Sequence, residues 1–171
     1  MSMIIKDRIQ QLMKGYPTVS DKYDVAGAIL AGSTPVEFGS LVKFSGTDGY
    51  FEAITTTSPL TGYEEAAGFV VATNVKLATE WPGKTVEVNP GEAFNLLVKG
   101  FIAIELDSEA TLQYVNSNEP VYVILATGKL TTSDKASDGV VEQLPNTVFT
   151  GIVENHGTTS APKLMAEIYV K

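Results

Sequence analysis

From Phe94 to Leu106 the chain reads FNLLVKGFIAIEL, and the apolar residues Phe94, Leu96, Val98, Ile102, Ile104 and Leu106 all fall on one parity. Successive side chains of a strand point to opposite faces, so this row predicts a long strand with one face on a core. Gly100 stands in the same row. With no side chain to pack, it predicts a bulge, a bend or a close approach by a neighbour. The other parity is mixed, with Leu97, Phe101 and Ala103 among Asn95, Lys99 and Glu105. That second face is therefore expected to be partly covered, by another sheet, by a barrel closing on itself or by another subunit.

Shorter apolar runs flank this strand. Val25–Leu30, Tyr50–Thr55, Gly68–Thr73, Val121–Leu125 and Val148–Glu154 read as strands, the last with Gly151 in its middle, and Pro35–Phe44 reads as a turn followed by a strand. Leu164, Ala166, Ile168 and Val170 alternate with Met165, Glu167 and Tyr169 in a final strand. Turn signals separate them: Ser45–Gly49 (SGTDG), Asn89-Pro90-Gly91 and Asn116–Pro120 (NSNEP). Many short strands between Gly, Pro and Asn turns predict an all-β fold, an antiparallel β-barrel or sandwich.

The N-terminus follows a different period. Ile5, Ile9, Leu12 and Met13 fall at i, i+4, i+7 and i+8, one apolar stripe of a short helix over Ser2–Lys14 that Gly15 and Pro17 end. The chain thus divides into an N-terminal helix or arm, residues 1–14, and a single β domain, residues 15–171. Lys6, Arg8 and Lys14 oppose only Asp7 in the arm. Two readings stand: an arm that docks on a partner through the stripe, or a helix that packs on its own domain. Trp81, the only tryptophan, precedes Pro82-Gly83 and is placed at a loop edge.

Composition narrows the chemistry. The 171 residues hold no cysteine and one histidine, which excludes disulfides and metal sites built on thiolates or several imidazoles. A net charge of -8 disfavours nucleic-acid binding, because an acidic surface repels phosphate. No run approaches the roughly 20 apolar residues of a membrane helix, and the N-terminus lacks the apolar core of a signal peptide. His156 sits in a Gly/Thr loop without a nucleophile beside it. Glu64-Glu65 and the pair Asp21 and Asp24 are carboxylates close in sequence, expected on an acidic loop surface rather than in a pocket. Asp134 and Asp138 precede Gly139 without the spacing of a calcium loop. No catalytic residue, cofactor or metal is expected.

Several segments in order resemble a family of tailed-bacteriophage structural cement, or capsid decoration, proteins. They are Val25–Leu30 with Pro35–Gly39 and Leu41-Val42, Gly68–Val71, Asn89–Glu92 with Leu97–Ala103, Asn118–Val123 with Gly128–Thr131, Gly151–Val153, and Ala166–Ile168. The resemblance spans residues 15–171. It implies a non-enzymatic β-barrel on the outer surface of a virion's capsid, bridging major capsid protein subunits, often near three-fold positions, and associating with itself as a trimer. It carries no catalytic residues with it. The contact residues expected from the apolar stripe and the lone tryptophan are Ile5, Ile9, Leu12, Met13 and Trp81. A receptor- or glycan-binding β-module of a fibre or adhesin is the alternative, with Trp81, Tyr50 or Tyr63 as stacking residues.

Overall fold

The computed structural model describes residues 12–18, 23–72, 87–133, 135, 140–158 and 160–171. Eleven strands run through them: β1 (Tyr23–Leu30), β2 (Val36–Glu37), β3 (Leu41–Phe44), β4 (Tyr50–Ala53), β5 (Ala66–Val71), β6 (Glu87–Val88), β7 (Ala93–Glu105), β8 (Pro120–Ile124), β9 (Leu130–Thr131), β10 (Val141–Asn155) and β11 (Leu164–Val170). Nine of them form one sheet in the order β1-β4-β3-β5-β7-β11-β10-β8-β9, and β2 pairs with β6 in a small second sheet. The all-β expectation holds. The closed barrel does not: the nine strands form one large sheet. An additional pairing of β1 with β7 folds one end of it back onto its middle, without joining β9 to the far edge. Alternating patterns define strands, whereas closure depends on which distant edges meet.

The expected helix over Ser2–Lys14 lies mostly outside the described residues, and its last three, Leu12–Lys14, are not helical. Among the described residues the helical elements are short 3-10 turns, Tyr63–Glu65 and Leu112–Tyr114, and Ser133 and Lys135 also have 3-10 conformation.

β7 is the spine. Its first half pairs with β1 on one edge and β5 on the other, with Leu97 opposite both Val25 and Phe69. Its second half pairs with β11, Ile102 opposite Ile168 and Ile104 opposite Ala166. Gly100 marks the changeover: it lies opposite Tyr23 of β1 and Val170 of β11, at a φ of 129° that L side chains rarely adopt. The main core lies on one face of this spine, around Leu97, Ile102, Ile104, Val121, Phe149 and Ile168. A second cluster, with Leu30, Phe38, Val42, Val70 and Leu96, fills the folded-back end. Val98, on the apolar parity, is 54% exposed; a register shift between Asp24 and Val25 in the β1–β7 pairing leaves it without an opposite residue. β10 begins earlier than its apolar run. Asn146, at φ 57°, carries the chain past Pro145 through a shift in register.

The segment Leu12–Thr18, here called the strap, runs along the edge of β7 opposite β11. Gly15 N–H donates to the Ala103 carbonyl at 2.8 Å, Ala103 N–H to Tyr16 at 3.0 Å, and Thr18 N–H to Phe101 at 3.2 Å. Ala72 of the β5 end donates to the Gly15 carbonyl at 2.8 Å. Thus the second face and edge of the spine, expected to be partly covered, meet the chain's own strap: Leu12 packs with Ala103 and Met165, and Ile152 lies against them.

Candidate functional site

The strap borders a cleft of about 870 Å³. Its walls are the strap residues Leu12–Lys14, the β2–β3 turn around Gly39, the ends of β4 and β7, the turn before β9, and His156 and Lys163 of the β10–β11 loop. Each wall arrives by a different route through the sheet, so the cleft is a product of topology rather than of any local motif.

Charges alternate around it. Lys14 pairs with Glu37 and, at 3.5 Å, with Glu105; Lys163 reaches the same Glu105 carboxylate at 3.3 Å. Lys129 lies 3.7 Å from Asp107. Three lysines are thus matched by three carboxylates, and the side chains are partly exposed, so each pair contributes on the order of 0–1 kcal/mol. The ion-pair chain Glu37–Lys14–Glu105–Lys163 ties the strap to β2, β7 and the β10–β11 loop. It offers neither an unmatched cationic cradle for phosphate nor two carboxylates set apart for acid and base work.

Behind Leu12 the geometry is more specific. Glu154 Oε2 accepts the backbone N–H of Leu12 at 3.0 Å and lies 2.9 Å from His156 Nε2. The histidine contact is the main cause that holds the Glu154 carboxyl below its ordinary range; burial opposes it, and the Leu12 N–H adds a lesser lowering. The sequence reading placed His156 in a polar loop without a partner; the structure gives it Glu154, two residues back on β10. No nucleophile stands at this pair. Glu65 is likewise held low, by Thr61, whose hydroxyl and N–H donate to it at 2.6 and 2.9 Å. That is a fully local turn contact at an exposed carboxylate. Burial pushes the Tyr16 hydroxyl up. Among the described residues no group of three or more His, Asp or Glu gathers to hold a metal ion.

The sequence-derived contact residues separate. Leu12 is 2% exposed and covered by its own domain, while Met13 is half-buried at the cleft wall. Ile5, Ile9 and Trp81 lie outside the described residues, as do Asp21, Asp134 and Asp138. Tyr50 and Tyr63 are exposed but sit apart, Tyr50 opposite Ile29 at the β1–β4 pairing and Tyr63 at a turn bonded to Glu142. The described residues therefore assemble no aromatic platform from them. Apolar side chains that sequence reasoning did not single out, Phe44, Leu112 and Val140, are more than half exposed. They lie at a strand end, in a 3-10 turn and at a bend, positions that alternation alone does not reveal.

The fold is thus a wide sheet with two main apolar clusters and a cleft lined by self-matched charges. The family model described as "Structural cement protein (E217 gp24/Pam3 gp6)" matches residues 6–169. The chain belongs to this phage structural cement protein family; it is a structural protein and not an enzyme. Among solved structures, a chain of "The capsid of Myoviridae Phage XM1" shares the fold at a TM-score of 0.57 and 16% sequence identity, over 96% of this chain and 97% of that one. None of the curated proteins compared with the chain matches it.

Proposed function

We propose that this protein binds the outer surface of a bacteriophage capsid and bridges neighbouring major capsid protein subunits, stabilising the head. The observation that carries this reading is the family match over residues 6–169, nearly the whole chain. The fold supports it: a broad sheet leaves the apolar side chains Phe44, Val98, Leu112 and Val140 more than half exposed. The net charge of -8 suits a position on the shell exterior, away from packaged DNA. Many copies meeting a lattice of equal sites strengthen such binding through multiplicity, and association with itself as a trimer fits the same lattice.

Ile5 and Ile9, ahead of the strap, and Trp81 are the proposed capsid-contact residues, with Met13 at the cleft wall. Leu12 serves differently, as the buried root that holds the arm to the domain. The test removes residues 2–11 and keeps the strap. Each docked isoleucine contributes roughly 1.5–3 kcal/mol of transfer energy, less the cost of ordering the arm. Occupancy on purified capsids, measured by co-sedimentation, is expected to fall at least about tenfold, since 1.4 kcal/mol is a factor of ten. Thermal unfolding of the isolated protein is expected to stay within about 4 °C of the parent, about 1–2 kcal/mol at this size. A large drop in melting temperature with full capsid binding would instead assign the arm to the protein's own fold. Failure of the full chain to co-sediment with any capsid lattice of its phage would overturn the attachment itself.

A further inference from the structure

We propose that Glu154 is a clasp: its carboxylate grips the backbone of the strap at Leu12 and so fixes the point from which residues 1–11 start. The grip joins residues 142 positions apart. It is not a rung of the sheet, since a side-chain oxygen accepts a backbone N–H. Leu12 is buried against Ala103 and Met165, and a buried N–H needs an acceptor. A carboxylate is a strong one, because charge-assisted bonds are roughly twice as strong as neutral ones. Met165, opposite Glu154 in the β10–β11 pairing, packs on the Leu12 side chain. One stretch of β10 and β11 therefore holds Leu12 by both its backbone and its side chain.

His156 sets the other side of the clasp. Its Nε2 meets the same Oε2 that takes the Leu12 N–H, so the carboxylate is held between ring and strap. The other charged groups nearby are Lys14 on the strap, Lys163 ahead of β11 and Glu105 at the end of β7, and these pair with one another.

Because its partners favour the ionised form, the Glu154 carboxyl is held below its ordinary range. A depressed carboxylate contributes its stabilisation above the unfolded-state value and loses it as pH falls through the folded one. The charge-dependent part of the clasp is therefore fully present at neutral pH and is lost only in acid, below the usual carboxylate range.

Hydrogen exchange of the full-length protein tests the clasp without any capsid. In Glu154→Ala the protection of the Leu12 amide is expected to fall at least about tenfold, as loss of a bond to a charged group implies. The Phe149 amide, bonded to the Glu119 carbonyl at 2.8 Å elsewhere on β10, should keep its protection. Glu154→Gln, which keeps an oxygen acceptor but no charge, should lose less, and His156→Ala should fall between that variant and the parent. Unchanged Leu12 protection in Glu154→Ala overturns the clasp, and so does an equal loss at Phe149, which would report general unfolding. The clasp's use in attachment rests on the reading that residues 1–11 reach the capsid. Glu154→Ala should lower capsid occupancy of the full chain and change nothing in a chain already lacking residues 2–11. Lost protection with unchanged occupancy would leave the clasp standing and overturn the arm's part in attachment.

Discussion

Phe149→Ala is expected to destabilise the protein by about 3–5 kcal/mol, the usual cost of emptying a fully buried aromatic site. Phe149 is 0% exposed and lies opposite Ile168, in the main core that also holds Ile102, Ile104 and Val121. Its backbone is also committed: its N–H donates to Glu119 and its carbonyl accepts the N–H of Asn118 at 2.9 Å. The walls around it are strands fixed by pairing on both sides, so the cavity has little freedom to collapse. At this chain length each kcal/mol lowers the melting temperature by roughly 2–4 °C, so a fall of roughly 6–20 °C should appear by calorimetry. Phe44→Ala is the comparison. Phe44 is 56% exposed and touches Phe51 with ring centroids 5.1 Å apart. Its loss should cost on the order of 1 kcal/mol, an aromatic contact and little buried area. Equal effects from the two substitutions would refute the placement of the core.

Gly15→Ala should be the more disruptive of two chemically identical changes at glycine. Gly15 and Gly32 both have φ +80°, where a side chain costs roughly 1–2 kcal/mol in backbone strain. They differ in what surrounds them. A Cβ on Gly32 would meet nothing within 4 Å, whereas one on Gly15 would lie 2.5 Å from the Phe38 Cβ and 2.6 Å from the Gly39 nitrogen. Two of the three nearest atoms are backbone, so no rotamer change relieves the clash. Overpacking adds about 1–3 kcal/mol, and if the strap lifts instead, the Leu12 burial, roughly 1.5–3 kcal/mol, is lost. Gly15→Ala is therefore expected to cost about 2–5 kcal/mol, and Gly32→Ala about 1–2 kcal/mol. Denaturant unfolding measures both. A Gly15→Ala protein as stable as Gly32→Ala would mean that the strap does not cross Gly39 at this distance.

The strap also shows where local reading stops. Ile5, Ile9, Leu12 and Met13 read as one helical stripe, and a stripe does not say what it faces. The structure divides it: Leu12 is buried at the sheet, and the Gly15-Tyr16-Pro17 segment that ends the stripe is bonded to Ala103, with Thr18 bonded to Phe101. In the same way His156, alone in a Gly/Thr loop, has no sequence neighbour that predicts its use. Its partner Glu154 is two residues away, but the Leu12 N–H that completes the arrangement comes from the other end of the chain. The cleft has the same origin, since Lys14, Glu37, Glu105 and Lys163 are scattered along 150 positions and meet only after the sheet has formed.

What local sequence determined is the strand content and most strand positions, because side-chain alternation and turn chemistry act over a few residues. The long central strand with its break at Gly100, the hairpin of β3 and β4 around Ser45–Gly49, the irregularity of β10 at Gly151 and the last strand, Leu164–Val170, were all legible in this way. The cement-protein resemblance was legible too, and the family match over residues 6–169 bears it out. Tertiary structure alone decided that the strands form one large sheet instead of a closed barrel, and that β1 reaches back to β7. It alone placed the strap on the spine and put Glu154 beneath Leu12. Those outcomes depend on pairings between backbone edges far apart in the chain. Edge N–H and C=O groups are the same in every residue but proline, so their choice of partner leaves no mark on the local pattern of side chains.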